Sequence, residues 1–552
     1  MAIASPSTSS IAATLSYTHY DSPRHGRVSP LPGLRSSVPC RLPPRLTVSS
    51  RFYSSKPSSG SVFPEDHFEL HYSFPSYSRS TKAAPVFVTL TPDAVNLMGQ
   101  MKRKKAMGAS FMALMAAGVE GIIIEVWWGI VEREGPRVYD WSGYLDIVDL
   151  AGRCGLKVRA VMAFHQCGRG PDDSPWIHLP HWVLEEMDKD PDLAYSDRFG
   201  RRNREYISLG CDILPLLRGR SPIQAYSDFM RDFRENFRKY LGVVITGIQV
   251  GMGPAGELRY PSCPSEKLSR VWRIRELGEF QCYDKYMLAA LNACAQEIGM
   301  REWGRGGPLG AGNLMQNPEE TNFFKSDGSW NTPYGQFFLE WYSGMLLLHG
   351  ERLCMAADTI FWGTGVKISA KVAAIHWHYG TKSHPSELTA GYYNTSIRDG
   401  YFPIAQLLAK YRMTLCCTCF DVQDSEEEVN PNSSPEGFLR QLILAARWCG
   451  ISLEGEISVA KLDEPSMKQV IKSSRLYSAG GGQSFSFNVV RMSKHLFESH
   501  NWTRFTRFVK QMSNARTFQA KLDSKRSELF LSSSSASSEI QLSERTCILV
   551  IH

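Results

Sequence analysis

Residues 117–132 read Ala-Gly-Val-Glu-Gly-Ile-Ile-Ile-Glu-Val-Trp-Trp-Gly-Ile-Val-Glu. The β-branched and aromatic residues at 122–127 are bounded by glycines, a pattern typical of a buried strand. Glu125 lies near the end of this run. The stretch therefore predicts a strand that carries a carboxylate close to its carboxyl end.

Six similar runs occupy residues 85–90, 158–165, 243–251, 372–379, 413–422 and 451–456. Amphipathic stretches such as residues 229–240 and 337–357 lie between several of them. Strands that alternate with helices indicate βα units and a parallel sheet. Residues 283–363 show one strong helix and no clear strand, so the fifth strand, expected there, has the weakest pattern.

Titratable side chains recur at or just after these runs. They are Glu125 in the second run, His165 at the end of the third, Glu257 after the fourth, His376 within the sixth strand and Glu456 at the end of the last. Each alone has an ordinary explanation, such as a helix cap or a hydrogen-bonded core histidine. Active sites of βα barrels lie at the carboxyl ends of the strands, so together the five residues favour a site.

Composition narrows the class of function. The chain has 552 residues, 43% hydrophobic and 21% charged, with a net charge of +7. Residues 1–64 carry seven Arg and Lys against the single acid Asp21, which leaves +1 for the remainder. A near-neutral body fits a neutral substrate and argues against nucleic acid. No run of eighteen apolar residues occurs, which argues against a membrane span.

The two ends are predicted to lie outside the folded domain. Residues 1–64 are rich in Ser, Arg and Pro and almost free of acidic residues, as in an organelle transit peptide. The alternative is a disordered N-terminal tail with no targeting function. Residues 515–552 turn polar and Ser-rich, which predicts a second disordered tail. The domain expected between them spans residues 84–513.

Thirteen cysteines are scattered along the chain, and only Cys416, Cys417 and Cys419 cluster. No second Cys/His pair at zinc spacing follows them, so a metal site has weak support. Small buried residues on a strand in a reducing compartment are the better interpretation. No metal or organic cofactor is expected.

Carboxylates, histidine and tryptophan together suit the chemistry of sugars. Glycosidic cleavage needs one carboxylic acid to protonate the leaving oxygen and a second carboxylate to attack the sugar or activate water. Glu257 lies in the turn Gly-Pro-Ala-Gly-Glu-Leu-Arg, which can project its side chain into a cleft, and Arg259 follows it. Trp377 and Tyr379 offer flat faces for pyranose rings, whereas Trp127 and Trp128 are better explained as barrel core.

These motifs resemble those of plant β-amylases, inverting exo-hydrolases that release β-maltose from the non-reducing ends of α-1,4-glucans. The resemblance covers residues 84–513 and is carried by residues 117–132, by GPAGELRYPSCP at 253–264, by GEFQCYDKY at 278–286 and by ELTAGYYN at 387–394. It implies a (β/α)8 TIM barrel with long loops on its carboxyl-terminal face. It also implies a starch or maltodextrin substrate and, with the transit-like segment, a chloroplast location.

Site residues follow from the resemblance position by position. Glu257 takes the position of the general acid and Glu456 that of the general base, whose carboxyl groups stand about 6.5–9.5 Å apart in inverting enzymes. The expected substrate-binding positions are Glu125, His165, Asp173, Lys371, His376, Thr418, Ile457, Ser458 and Arg491.

The sequence departs from the family at several of these positions. Glu125 stands where the family has a shorter Asp, and Ile457-Ser458 where it has Asn-Ala. Residues 168–173 correspond to the family's mobile lid, a loop beside the substrate, and they differ from it by Arg169 and Pro171. Residues 377–379 and 420–422 also differ from the family pattern. A lost hydrogen bond to a sugar costs about 1–3 kcal/mol, and several such losses would slow the enzyme.

Two hypotheses follow from these observations. The retained pair Glu257 and Glu456 favours a starch-hydrolysing β-amylase. The changes at Glu125, Ile457 and the lid favour a catalytically weak or inactive relative that binds glucan, or a protein partner, as a regulator of starch metabolism.

Overall fold

The computed structural model describes residues 84–513, apart from residues 169, 171, 263–276, 315, 427–431, 459–460 and 479–483. Both predicted tails, 1–64 and 515–552, lie outside the described residues, as do Arg169 and Pro171 of the lid. No helix in the described part of the chain is long and apolar enough to cross a bilayer.

Eight parallel strands close into a barrel in the order β1-β10-β9-β8-β7-β6-β3-β2. The barrel strands are β1 (Val86–Thr89), β2 (Gly121–Trp127), β3 (Lys157–Ala163), β6 (Ile245–Val250), β7 (Lys367–Lys371), β8 (Thr414–Cys417), β9 (Leu453–Ser458) and β10 (Phe485–Val490). An antiparallel hairpin of β4 (Ala194–Ser196) and β5 (Arg202–Ile207) is inserted between β3 and β6. The expected (β/α)8 TIM barrel is therefore confirmed.

Helices surround the barrel. They are α1 (Lys104–Ala116), α2 (Trp128–Val131), α3 (Ser142–Arg153), α4 (His181–Lys189), α5 (Pro222–Asn236), α6 (Lys285–Glu297), α7 (Pro333–Phe361), α8 (Pro385–Ala390), α9 (Phe402–Lys410), α10 (Pro435–Trp448), α11 (Glu464–Ser478) and α12 (Ser499–Ser513). The two amphipathic stretches predicted from the sequence are helices α5 and α7. Ser221 begins α5 with a capping box, and Thr332 caps α7 through the backbone nitrogen of Gly335.

The strand assignments need two corrections. The region 283–363 holds helices and turns, and none of its described residues forms a barrel strand. The fifth barrel strand is β7, which ends just where the predicted run 372–379 begins. Most of that run is buried, which accounts for its apolar, strand-like sequence. His378 within it has a φ of 59°, a value that a strand residue does not adopt. His376 therefore lies in a loop and not within a strand.

The eighth strand, β10, was not predicted, so Glu456 does not end the last strand. It lies within β9, the seventh barrel strand, where it pairs in register with Asn488 of β10. The sequence of β10, Phe-Ser-Phe-Asn-Val-Val, alternates apolar and polar residues, and this period of two was the available signal.

The main hydrophobic core lies around the barrel and includes Trp127 and Trp128, which are 1% and 0% exposed, as the core interpretation predicted. A separate small cluster, formed by Phe87, Ile123 and Val161, comes from three neighbouring strands. Alternate residues of each barrel strand point inward, so this cluster belongs to the barrel interior.

Gly129 provides a test of how the loops pack onto the end of the barrel. It lies in α2, directly after β2, and a Cβ atom there would come 1.8 Å from the carbonyl oxygen of His178. Because this neighbour is backbone, we expect Gly129→Ala to lower the free energy of unfolding by about 2–3 kcal/mol. Urea unfolding followed by circular dichroism measures the change.

Gly344 is the matched control, because it lies inside α7 and a Cβ atom added there would have no neighbour within 4 Å. Gly344→Ala should raise stability by about 0.5–1 kcal/mol, since alanine is the better helix former. Equal effects of the two substitutions would contradict the close packing at Gly129.

Candidate active site

The carboxyl-terminal end of the barrel gathers most of the polar residues singled out from the sequence. Glu125 comes from β2, Lys371 ends β7, and Glu456 lies near the end of β9. His165, Glu257, Thr418 and Arg491 follow β3, β6, β8 and β10. Residues far apart in the sequence are thus brought together because the strands are parallel and close into one barrel.

Lys371 connects the two glutamates. Its Nζ lies 2.6 Å from Oε2 of Glu456 and 3.9 Å from Oε1 of Glu257. Oε2 of Glu456 and Oε1 of Glu257 therefore lie at most about 6.5 Å apart, at or below the lower end of the separation expected for an inverting pair. Burial by itself lowers the pKa of Lys371, but the charges of Glu456 and Glu257 raise it above its ordinary value, so the side chain is an ammonium ion.

A tight turn positions Glu257. Pro254–Gly256 form a single turn in which Gly256 has a φ of +75°, a conformation that glycine adopts without strain. The backbone then pairs with the end of β7, where Leu258 donates to the carbonyl oxygen of Lys371 at 2.8 Å. Nε of Arg259 donates to Oε2 of Glu257 at 2.8 Å. The turn thus extends the sheet and aims Glu257 at the Lys371 ammonium.

Glu456 is held by three neighbouring strands. Besides the Lys371 ion pair from β7, its Oε1 accepts from the thiol of Cys416 on β8 at 3.5 Å and from Nδ2 of Asn488 on β10 at 3.4 Å. Burial alone raises the pKa of Glu456, but Lys371 and these donors outweigh it and hold the pKa below its ordinary value. An ionised carboxylate is what a general base requires.

Glu205 is a third carboxyl group in this region that the sequence did not single out. It lies on β5, and burial raises its pKa, opposed by Arg259 and reinforced by the charge of Glu257. The feature of the sequence that could have revealed Glu205 is its place in a strand, next to the buried Tyr206 and Ile207. The inserted hairpin therefore contributes to the electrostatics of Glu257.

Glu125 and Arg491 form a two-pronged ion pair. Nη2 of Arg491 donates to Oε1 of Glu125 at 2.7 Å, and Nη1 contacts Oε2. Nη1 also reaches the carbonyl oxygen of Leu90, at 3.5 Å. The sequence suggested these two residues separately as binding positions. In the structure the longer side chain of Glu125 is turned onto Arg491, across the end of β1.

His165 and His376 are buried imidazoles, and His165 lies beside the charged residues of the site. Burial, reinforced by the positive charges of Arg491 and Lys371, lowers the pKa of His165 to about 3. Its Nδ1 has no hydrogen-bond partner among the described residues, and its ring stands edge-on to Trp127. Burial lowers the pKa of His376 to about 4, and its Nδ1 lies 2.9 Å from Oγ of Ser433. Both are neutral at pH 7.

Three other predicted positions have the following locations. Asp173 is exposed in the loop after β3, where its backbone nitrogen donates to the carbonyl oxygen of Gly170. Thr418 is partly buried immediately after β8, and Ser458 ends β9. The side chain of Ser458 lies outside the described part of the structure.

The side chain of Ile457 faces away from that of Glu456. Ile457 follows Glu456 on β9, so its side chain points to the opposite face of the strand. There it is 3% exposed within the main hydrophobic core, and it pairs in register with the buried Val489. The side chain of Ile457 therefore lies in the core, on the face of β9 opposite to Glu456, and the binding of sugar at position 457 stays a prediction.

Comparisons with known proteins agree with this architecture. The model of "Glycosyl hydrolase family 14" matches residues 87–517. "Beta-amylase 1, chloroplastic" of Arabidopsis thaliana is 51% identical over 438 residues, covering 78% of this chain and 76% of the relative. "Beta-amylase 2, chloroplastic" of Oryza sativa subsp. japonica is 49% identical over 449 residues, covering 81% and 80%.

A solved structure shares the fold. The catalytic domain of the β-amylase from Paenibacillus polymyxa superposes with a TM-score of 0.63 at 24% identity, covering 78% of this chain and 98% of that one. At this identity the likeness supports the barrel architecture alone.

The two buried histidines predict an acid sensitivity. Their pKa values, about 3 and about 4 in the folded protein, lie below the value of about 6.5 in the unfolded chain. The unfolded chain therefore binds more protons as the pH falls below 6.5, and folding loses stability. Between pH 7 and pH 5 we expect each histidine to account for about 2 kcal/mol of this loss.

Urea unfolding of the wild type and of a His165→Asn/His376→Asn variant at both pH values measures the effect. The variant should lose markedly less stability on acidification, and substitution of the exposed His500 by Asn should change nothing. Equal losses in the wild type and the double variant would show that these imidazoles are not held neutral by burial.

Proposed function

The chain belongs to glycosyl hydrolase family 14, and we propose that Glu257 and Glu456 are the acid and the base of its hydrolytic reaction. Its activity is that of a starch-hydrolysing β-amylase, and its relatives named chloroplastic indicate a plastid location. The glucan is its substrate. The finer assignment, release of maltose from non-reducing ends with inversion, is part of the proposal.

The observation that carries the proposal is that one ammonium contacts both carboxylates. In the proposed reaction Glu257 transfers a proton to the glycosidic oxygen as the bond from that oxygen to C1 breaks. Glu456 removes a proton from a water molecule, whose oxygen bonds to C1 from the opposite face of the sugar. The proton lost by Glu257 and the one gained by Glu456 balance, and solvent exchange restores both groups.

Lys371 supports this division of roles. As it lies closer to Glu456 than to Glu257, its charge favours the carboxylate of Glu456 more strongly, and together with the donors Cys416 and Asn488 it suits Glu456 to the base. Arg259 contacts the carboxylate of Glu257 in turn, so the acid role of Glu257 is proposed from its motif position and not from its charged partners. Glu257, with 15% of its side chain exposed, lies in a turn at the rim rather than in a strand, where a leaving group can reach it.

The remaining polar residues are proposed to bind the glucan. The guanidinium and carboxylate of Arg491 and Glu125 present donors and acceptors to sugar hydroxyls, and His165 offers the unpartnered Nδ1 described above. Asp173, His376, Thr418 and Ser458 are proposed to line the same cavity on the strength of their motif positions.

A purely regulatory glucan-binding role is not favoured by this geometry. Of the three changes that suggested it, those at Glu125 and Ile457 leave the acid–base pair untouched, and Arg169 and Pro171 of the third lie outside the described residues. The carboxylate of Glu125 is engaged by Arg491, and the Ile457 side chain faces the core. Neither alters the contacts of Lys371 with Glu257 and Glu456.

Substitution of each glutamate tests the proposal. Glu257→Gln removes the proton donor and Glu456→Gln removes the base, so either should lower maltose release from soluble starch by about 10²–10⁴-fold. Binding of a linear maltooligosaccharide, measured by calorimetry, should persist within a few-fold. The control is Glu120→Gln, an exposed carboxylate just before β2 at the opposite end of the barrel, which should keep wild-type turnover. Wild-type turnover in either of the first two variants would remove that residue from the mechanism.

A further inference from the structure

A second charged layer lies inside the barrel beneath the catalytic pair. Nη1 of Arg159, on β3, lies 3.3 Å from Oε1 of Glu454 on β9 and donates to Oδ1 of Asn488 on β10 at 3.1 Å. Its Nη2 donates to Oγ of Ser486 at 2.9 Å. Because β1 and β2 separate β10 from β3 in the sheet, these contacts cross the barrel interior.

The position of Arg159 is fixed on several sides. Its guanidinium lies 3.7 Å from the centre of the Phe87 ring, on which it stacks. The neighbouring strand residue is Gly247, and a Cβ atom there would lie 3.0 Å from Cγ of Arg159. The glycine thus leaves room for the methylene chain, and the ion pair with Glu454 offsets the burial of the charge.

This arrangement determines which way the Asn488 amide faces. A guanidinium has only donors, so the group of Asn488 that contacts Arg159 must be the oxygen. The amide NH2 then points the other way, where Nδ2 lies 3.4 Å from Oε1 of Glu456. Asn488 is fully buried, so rotation by 180° would set two donors against each other and leave the oxygen facing a carboxylate.

We propose that Asn488, oriented by the Arg159–Glu454 pair, is a positioning residue that keeps Glu456 ionised by donating to the oxygen that Lys371 does not hold. The inference rests on the proposed role of Glu456 as the base. The new element is a network of Arg159 on β3, Glu454 on β9 and Asn488 on β10 that orients the amide of Asn488. These side chains are proposed to act through Glu456 and not to contact the sugar.

Several other charged or titratable groups interact with Glu456 or with its partners, and the test must separate Asn488 from them. They are Lys371 on β7, Cys416 and Cys417 on β8, Glu454 on its own strand, Glu257 in the turn after β6, Arg491 after β10 and Arg159 on β3. Substitutions at Asn488 keep all of these side chains, and besides the donor to Glu456 they remove one acceptor of Arg159 and a 3.9 Å contact with the thiol of Cys416. A change in the titration of Glu456 would then report on the amide.

The pH dependence of starch hydrolysis provides the test. The acid limb of kcat/KM reports the ionisation of the base in the free enzyme. Asn488→Leu keeps the volume but removes the donor, so the carboxylate is less favoured and the acid limb should move upward by about half to one pH unit. At the wild-type midpoint of the limb, a shift of one unit lowers kcat/KM about fivefold, whereas the alkaline limb and the plateau kcat should change little.

Two further variants sharpen the comparison. Asn488→Asp places a second carboxylate beside Glu456 and should shift the acid limb further upward than Asn488→Leu. Thr414→Val removes another polar side chain from β8 without removing a donor to Glu456, and its profile should match the wild type. If Asn488→Leu does not fold, as judged by its thermal melt, Asn488→Ala takes its place.

The role of Arg159 is tested by removing both charges of its pair. Arg159→Met/Glu454→Met avoids an unpaired buried charge and frees the Asn488 amide to turn. The acid limb should shift in the same direction as in Asn488→Leu. An unchanged limb in this variant would overturn the orienting role of Arg159, and an unchanged limb in Asn488→Leu would overturn the proposal as a whole.

A direct titration separates this proposal from the proposed function. In protein labelled with ¹³C at the glutamate carboxyl carbon, the resonance of Glu456 is the one missing from Glu456→Gln. Its midpoint should rise in Asn488→Leu and Asn488→Asp and stay in place in Thr414→Val. If the wild type released no maltose, the proposed function would fail while this titration still decided the role of Asn488. An equal midpoint in the wild type and Asn488→Leu would overturn that role.

Discussion

The ion pairs of Lys371 are the interaction on which the arrangement of the site depends. An isolated buried ammonium is strongly disfavoured, and so is an isolated buried carboxylate. Their contact offsets both penalties only while Lys371, Glu456 and Glu257 face the same point. The backbone of Lys371 also accepts the hydrogen bond from Leu258 that anchors the turn carrying Glu257. One residue therefore fixes both the charge balance and the spacing of the two glutamates.

The barrel interior differs from an ordinary packed barrel core, which is filled mainly by branched apolar side chains. Here the apolar part is the small cluster of Phe87, Ile123 and Val161, and charged residues occupy the layers above and beside it. The charged groups are tolerated there because Arg159 pairs with Glu454 and Lys371 pairs with Glu456. A protein departs from apolar packing where its function requires it, and the carboxyl-terminal half of this barrel is such a place.

Much of the fold, and most of the polar residues at the carboxyl-terminal end of the barrel, were predicted from the sequence, and the exceptions have physical causes. Six of the seven runs marked strands correctly or within a few residues, because buried parallel strands are nearly continuous apolar segments. β10 was overlooked because Ser486 and Asn488 point into a polar interior and break its apolar run. The fifth strand was misplaced because Lys367 and Lys371 flank a short segment, while the buried loop after it looked more strand-like.

Residue roles were predicted less completely than positions. Motifs located Glu257, Glu456 and Lys371, but no motif states that Lys371 contacts both glutamates or that Glu125 pairs with Arg491. Ile457 follows Glu456 in the sequence, but neighbouring strand residues face opposite sides, so only the structure places its side chain in the core. Asn488 and Glu205 belong to segments outside the recognised motifs, so only the folded structure brings them to the pair.

The anomeric form of the first maltose released tests the central claim most directly. If Glu456 acts on a water molecule across the sugar from Glu257, a single displacement inverts C1 of an α-linked glucan. Proton NMR recorded within the first minutes of starch hydrolysis, before mutarotation, should then show β-maltose as the initial product. Initial release of α-maltose would mean a double displacement through a covalent intermediate, and would contradict the assignment of Glu456 as a base that activates water.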